Sequence, residues 1–316
     1  MIHLPPNSFA RLFSCPSLLF LAASIQLAGC SEPAATEEAA DVARRAAVQQ
    51  STTVTITPED LKRQLNCWQA ECVMQGNEIR EVSLYQSGLR SIAPLKGLPL
   101  IALDLGMTKV DDLTPLAGMR LQRLDLENTP VSDISLLRGM PLSLLKMQNT
   151  KVTDFSPLEG LPLNQLNLLG LPVTDDHLPL LQKAPLQTLW LAGTLVTDLS
   201  PLPLTELESL DIARTKVSSI APLAAATRLK RLNIAETSVT DLTPLAALRL
   251  QRITLTPAAI TAGMDVLRSM PSLTQIQTDL NEPLAAADFW QRFDLGLYKP
   301  DAAQSPVSDS STAPQP

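Results

Sequence analysis

The feature that most constrains this sequence is a leucine spacing that returns at a nearly constant interval. Ile79, Leu100, Leu121, Leu142, Leu163, Leu186, Leu207, Leu229 and Leu250 each open a similar segment, and successive openings are 21 to 23 residues apart. In the third unit, LQRLDLENTPVSDISLLRGMP, leucine stands at the first, fourth and sixth positions, threonine at the ninth, valine at the eleventh and aspartate at the thirteenth. So short a segment cannot bury its leucines alone, because one turn of chain has no second layer. Stacked turns make a continuous aliphatic column. The repeat therefore predicts a solenoid with one short parallel strand per unit. Composition agrees, since hydrophobic residues are 45% of the 316 but aromatics only 3%, which leaves aliphatic side chains to build the core.

The return leg carries a D-L-x-P-L pattern, as in Asp112 to Leu116 and Asp241 to Leu245. Aspartate accepts hydrogen bonds from free backbone N–H groups and proline tolerates the first residues of a turn, so the pattern predicts a capped 3₁₀ or short helical turn. Capping accounts for every member of the column Asp112, Asp133, Asp154, Asp175, Asp198 and Asp241, and calcium is not expected there.

L-x-x-L-x-L followed by D-[LI]-x-P-L resembles the leucine-rich repeat family, specifically its internalin-like subclass, over residues 79–280 in about nine units. The resemblance implies an α/β solenoid: a curved stack with a short parallel strand per repeat, 3₁₀ or short helical return legs, and helical caps at both ends. It also implies a concave sheet face that binds a protein or a surface polymer. The family's usual asparagine at the ninth position is replaced by Thr108, Thr129, Thr150, Thr194, Thr215 and Thr237, with Ser87 in the first unit. A hydroxyl donates only once, so a weaker internal ladder is expected. Leu171 stands at that position in the unit lengthened to 23 residues, where a local distortion of the stack is expected.

Outside the repeats the chain changes character. Residues 1–29 hold Arg11, an apolar run from Leu12 to Ile25, and the close Leu27-Ala28-Gly29-Cys30. That quartet is similar to the bacterial lipoprotein signal, which implies cleavage before Cys30 and acylation of its thiol, each buried CH₂ contributing about 0.8 kcal/mol of membrane affinity. An ordinary secretory signal is the alternative. Ser31, where aspartate would resemble an inner-membrane retention signal, favours the outer membrane of a Gram-negative cell envelope.

Residues 30–53 are small and polar and form an expected tether, and residues 54–78 form an expected N-terminal cap whose helix starts at Thr57-Pro58-Glu59-Asp60. A C-terminal cap is expected at 281–300, with Phe289, Trp290 and Phe293 on a short amphipathic helix, and a disordered Pro/Ser-rich tail at 301–316. Without Cys30, Cys67 and Cys72 are a lone pair in an oxidising compartment. A disulfide between them requires the helix to end between them; two buried free thiols are the alternative.

The formal net charge of -7 has no basic stripe within it, which excludes the electrostatic footprint of a nucleic-acid binder. His177 is the sole histidine of the mature chain and is expected to be an exposed loop residue, while the 12 glycines form no phosphate-cradling loop. No catalysis, metal or cofactor is expected. Binding is another matter, because the third, fifth and seventh positions of each unit project from the concave face in parallel rows. Trp190, Arg123, Asp125, Asp211, Arg231, Tyr85 and Lys146 are the candidate partner-binding residues, Trp190 as the single large aromatic near the middle. The chain is expected to act as a monomer that captures a partner from the envelope; an architectural lipoprotein without a specific ligand is the alternative.

Overall fold

The computed structural model describes residues 56–278 and 283–298. The signal segment, Cys30, the tether and the tail lie outside these residues.

The first helix, α1 (Pro58–Leu65), begins as its sequence dictates. Thr57 Oγ1 accepts the Asp60 N–H at 3.1 Å, proline occupies the first turn, and Asn66 ends the helix in the left-handed region at φ 49°. Its buried Leu61 and Leu65 close one end of the aliphatic column. A hairpin follows, β1 (Glu71–Gln75) against β2 (Glu78–Ser83), and β2 opens the parallel series. That series continues through β3 (Ala102–Asp104), β4 (Arg123–Asp125), β5 (Leu144–Lys146), β6 (Gln165–Asn167), β7 (Thr188–Trp190), β8 (Ser209–Asp211), β9 (Arg231–Asn233), β10 (Arg252–Leu255) and β11 (Gln275–Thr278). The helix α2 (Met264–Arg268) precedes β11, while β12 (Leu284–Ala285) and α3 (Ala286–Asp294) complete the far end. All 12 strands form one sheet in sequential order, parallel from β2 to β11 and antiparallel at each end.

The strands coincide with the third to fifth repeat positions, and their central residues stack in register. Leu103 lies opposite Leu124, then Leu145, Leu166, Leu189, Leu210 and Leu232 follow in turn. In the third unit Leu121, Leu124, Leu126 and Val131 are all 0% exposed. Burying one such side chain contributes about 1.5–3 kcal/mol, so the stack is held by the same few positions used many times.

The return legs are short 3₁₀ turns such as Thr114–Leu116 and Thr243–Leu245. The aspartate before most of these turns accepts the N–H two residues on, at 2.8 Å for Asp112 with Thr114 and 2.9 Å for Asp154 with Ser156, and Ser91 and Ser219 do the same for Ala93 and Ala221. These backbone bonds hold the carboxyls of Asp112, Asp133 and Asp154 below the ordinary carboxylate range. The ninth-position threonines form no lateral ladder. Each hydroxyl of Thr108, Thr129, Thr194, Thr215 and Thr237 donates to the carbonyl three residues back in its own unit at 2.7 Å.

In the lengthened unit the sheet is undisturbed, since Leu166 still pairs with Leu189. The extra residues are absorbed by a seven-residue 3₁₀ turn, Asp175–Leu181, and Asp175 is redirected to accept the N–H groups of Thr197 and Asp198 in the next unit. The expected distortion is thus confined to the return leg. His177 is half-buried rather than exposed: its Nδ1 accepts the Thr174 N–H at 3.1 Å, and its ring meets Phe155 edge-on at 5.0 Å.

Cys67 and Cys72 are free thiols, so the expected disulfide is not formed. The helix ends before both, but Cys67 is buried in the aliphatic column, whereas Cys72 sits on β1 opposite Val82. Burial pushes the Cys72 thiol up, away from the reactive thiolate form. At the other end Phe289 is 0% exposed and stacks on Tyr298 at 5.1 Å. The Arg268 guanidinium lies 4.8 Å from the centre of the Trp290 ring, which ties α3 to α2.

Candidate partner-binding face

Each strand presents its third and fifth positions on the concave face, and the seventh position continues the row beyond the strand. The first half of this face pairs with itself. Arg123 reaches Glu81 at 2.7 Å across two strands, passing over Ala102, whose small side chain leaves room. Lys146 meets Asp125 at 2.9 Å, Ser83 donates to Asp104 at 3.0 Å, and Gln148 donates to Glu127. The Tyr85 hydroxyl lies 3.0 Å from the Met107 sulfur. Asp104 is 3% exposed, and burial, helped by the nearby charge of Asp125, raises its pKa to about 6.

The second half of the face is arranged otherwise. Asn167, Trp190, Asp211 and Asn233 follow one another in register on β6 to β9. As Asp104 and Asp125 do with Gly106 and Glu127 in the first half, Asn167, Asp211 and Asn233 accept the N–H groups two residues on, of Leu169, Ala213 and Ala235, at 3.0 to 3.1 Å. Burial raises the Asp211 pKa, and the Asn233 side chain donates to its carboxylate. At the seventh position stand Leu169, Ala192, Ala213 and Ala235, a small apolar shelf. Trp190 is half-buried, and its side chain has no hydrogen bond or ring contact among the described residues. Arg231 and Arg252 are exposed and directly opposite each other on β9 and β10.

Of the residues singled out from sequence, Arg123, Asp125, Lys146 and Tyr85 therefore fall in the half whose polar groups are mutually engaged. Trp190, Asp211 and Arg231 fall in the other. Sequence reasoning missed the alanine shelf and the position of Arg252 beside Arg231. It also missed a column of left-handed residues at the eighth position: Gln86, Met107, Asn128, Asn149, Gly170, Gly193, Arg214 and Glu236. Asparagine and glycine at four of these eight places were the available signal. Among the described residues no three His, Cys, Asp or Glu side chains are placed to hold a metal, and no helix is long and apolar enough to cross a membrane.

No family model and no curated protein matches the chain. Among solved structures it is similar to internalin C2 of Listeria monocytogenes, with TM-score 0.53 and 29% identity over 63% of this chain and 84% of that one. An internalin F of the same organism aligns at TM-score 0.49 and 21% identity, covering 76% and 90% of the two chains. A leucine-rich repeat protein of Leptospira interrogans aligns at TM-score 0.45 and 16% identity, covering 66% and 62%. The chain thus has an internalin-like leucine-rich repeat fold, and the first of these likenesses is the one that supports the description.

Proposed function

We propose that this chain is a non-enzymatic scaffold, lipid-anchored through Cys30 in a bacterial cell envelope, that captures a protein partner as a monomer through the second half of its concave face. One observation carries the reading: among the described residues the Trp190 and Arg231 side chains have no hydrogen-bond or ion-pair partner on the sheet, while the charges of the first half are engaged with each other. Large aromatics and arginines that are free before association supply most of the energy at protein interfaces. The internalin-like fold supports a protein-binding scaffold in general terms. Anchoring rests on the Leu27-Ala28-Gly29-Cys30 quartet alone.

A photo-reactive amino acid placed at position 190 tests the partner claim, with position 154 on the return legs as control. Discrete cross-linked products from intact cells at 190 and none at 154 are expected. A diffuse ladder at both positions contradicts the proposal and supports an architectural spacer. For the anchor, Cys30→Ser should abolish incorporation of labelled palmitate; unchanged incorporation contradicts it.

A further inference from the structure

Arg231 and Arg252 are in-register neighbours on adjacent parallel strands. Adjacent strands lie about 4.8 Å apart, so two like charges are held side by side at a cost to the fold. Among the described residues neither is relieved by a carboxylate. Arg252 gives its Nε–H to the neutral Gln275 side chain at 2.6 Å, and Arg231 makes no side-chain hydrogen bond or ion pair. On its other side Arg231 faces Ser209, which is also neutral.

Immediately beside this doublet, at the starts of the same strands, is an open groove of ≈ 470 Å³ lined by Glu208, Arg228, Lys230, Arg249, Gln251 and Ser272 among others. Lys230 is matched to Glu208 at 2.9 Å and Arg228 to Glu206. Among the described residues the exposed Arg249 has no ion pair, and the buried Ser272 hydroxyl has no hydrogen-bond partner. Among the described residues, then, three arginines without an ion pair, two on β9 and β10 and one in the adjoining groove, stand at the same end of the sheet, in a chain whose formal net charge is -7. An exposed local excess of positive charge in an acidic molecule is complementary to an acidic occupant.

We infer that the Arg231/Arg252 doublet and the adjoining Arg249/Ser272 groove bind an acidic peptide segment of the protein partner, with Trp190 holding a neighbouring apolar residue of the same segment. The inference rests on the concave-face reading above and deepens it. Carboxylates match the planar fork of arginine, and Trp190 lies two strands from Arg231, about 10 Å away, within one extended segment's reach. A polyanion fits poorly. Nucleic acid is held through many phosphate contacts, on the order of 6–10, whereas this surface offers three free cations within an acidic molecule.

Fluorescence anisotropy of a labelled short peptide of alternating Glu and Ser with a central Leu, titrated with the full chain, tests the inference. Binding that weakens at least about tenfold in the double variant Arg231→Gln/Arg252→Gln is expected, because each lost charge-assisted bond is of the size that changes an equilibrium tenfold. Circular dichroism melting of that variant should match the parent, and Arg231→Lys/Arg252→Lys should retain part of the affinity. The inference is overturned if the double variant binds the peptide as well as the parent, if a Lys/Ser counterpart binds equally, or if millimolar inorganic phosphate displaces the peptide completely. It is also overturned if binding appears only after residues 301–316 are deleted, since the occupant is then the chain's own tail. The concave-face reading fails separately. Cross-linking at 190 that persists unchanged in the double variant keeps that reading and discards the acidic partner, whereas loss of discrete products in the parent discards the reading itself.

Discussion

The two halves of the concave face are built from the same repeat and differ in where their polar groups are directed. In β2 to β5 charges of opposite sign are placed one or two repeats apart, Asp125 with Lys146 and Glu81 with Arg123, so the stacking itself brings them together. In β7 to β10 the row holds Trp190, one carboxylate bound to its own strand, and two adjacent arginines without an acid. A repeat scaffold therefore does not imply a uniform face. One half pairs its charges across the strands, and the other leaves Arg231 and Arg252 exposed without an acid among the described residues.

The largest effect that would sharpen this contrast is expected at Lys146. Lys146→Met leaves Asp125, whose side chain is 5% exposed, without its cation and close to Asp104. Removing one member of a buried pair costs about 3 kcal/mol, which urea denaturation should report. Next comes Asp104. Its pKa of about 6 exceeds the ordinary 3.8, so the folded state binds the proton more tightly than the unfolded chain. This group's contribution is fully present below pH 3.8 and is lost as pH rises to about 6. Asp104→Asn should therefore stabilise the protein at neutral pH by on the order of 1–2 kcal/mol, with no gain near pH 3.8. Equal gains at both pH values would break the assignment.

Smaller stability effects are expected in the other half. Trp190→Ala should lower stability by about 1 kcal/mol or less, as at a partly exposed site, while weakening binding of the labelled peptide. A loss of stability as large as that of Lys146→Met would make Trp190 structural. Arg231→Gln should change stability by no more than about 0.5 kcal/mol, and the change should be favourable because it relieves the repulsion from Arg252.

Much of the fold was legible because leucines at a fixed interval are a one-dimensional record of a stack. The same record carried more than was read from it. Asp125 and Lys146 occupy the same position of adjacent units, and Arg231 and Arg252 likewise, so aligning the units by position places each pair side by side. The direction of each side chain was not legible. That Asp211 accepts both from the backbone of Ala213 and from the Asn233 side chain depends on backbone geometry that the spacing does not record. The free state of Cys67 and Cys72 depended on where the chain leaves α1, which periodicity does not reach. His177 was misplaced for a related reason: the lengthened unit built a seven-residue turn that uses its ring as a cap.

The contrast between the halves can be measured without any partner, by thermal unfolding of Lys146→Met and Arg231→Met side by side. Lys146→Met should melt about 6–12 °C lower than the parent, given about 2–4 °C per kcal/mol for a domain of this size, and Arg231→Met should melt with the parent. Equal shifts for the two variants would contradict the division of the face into a self-paired half and an open one.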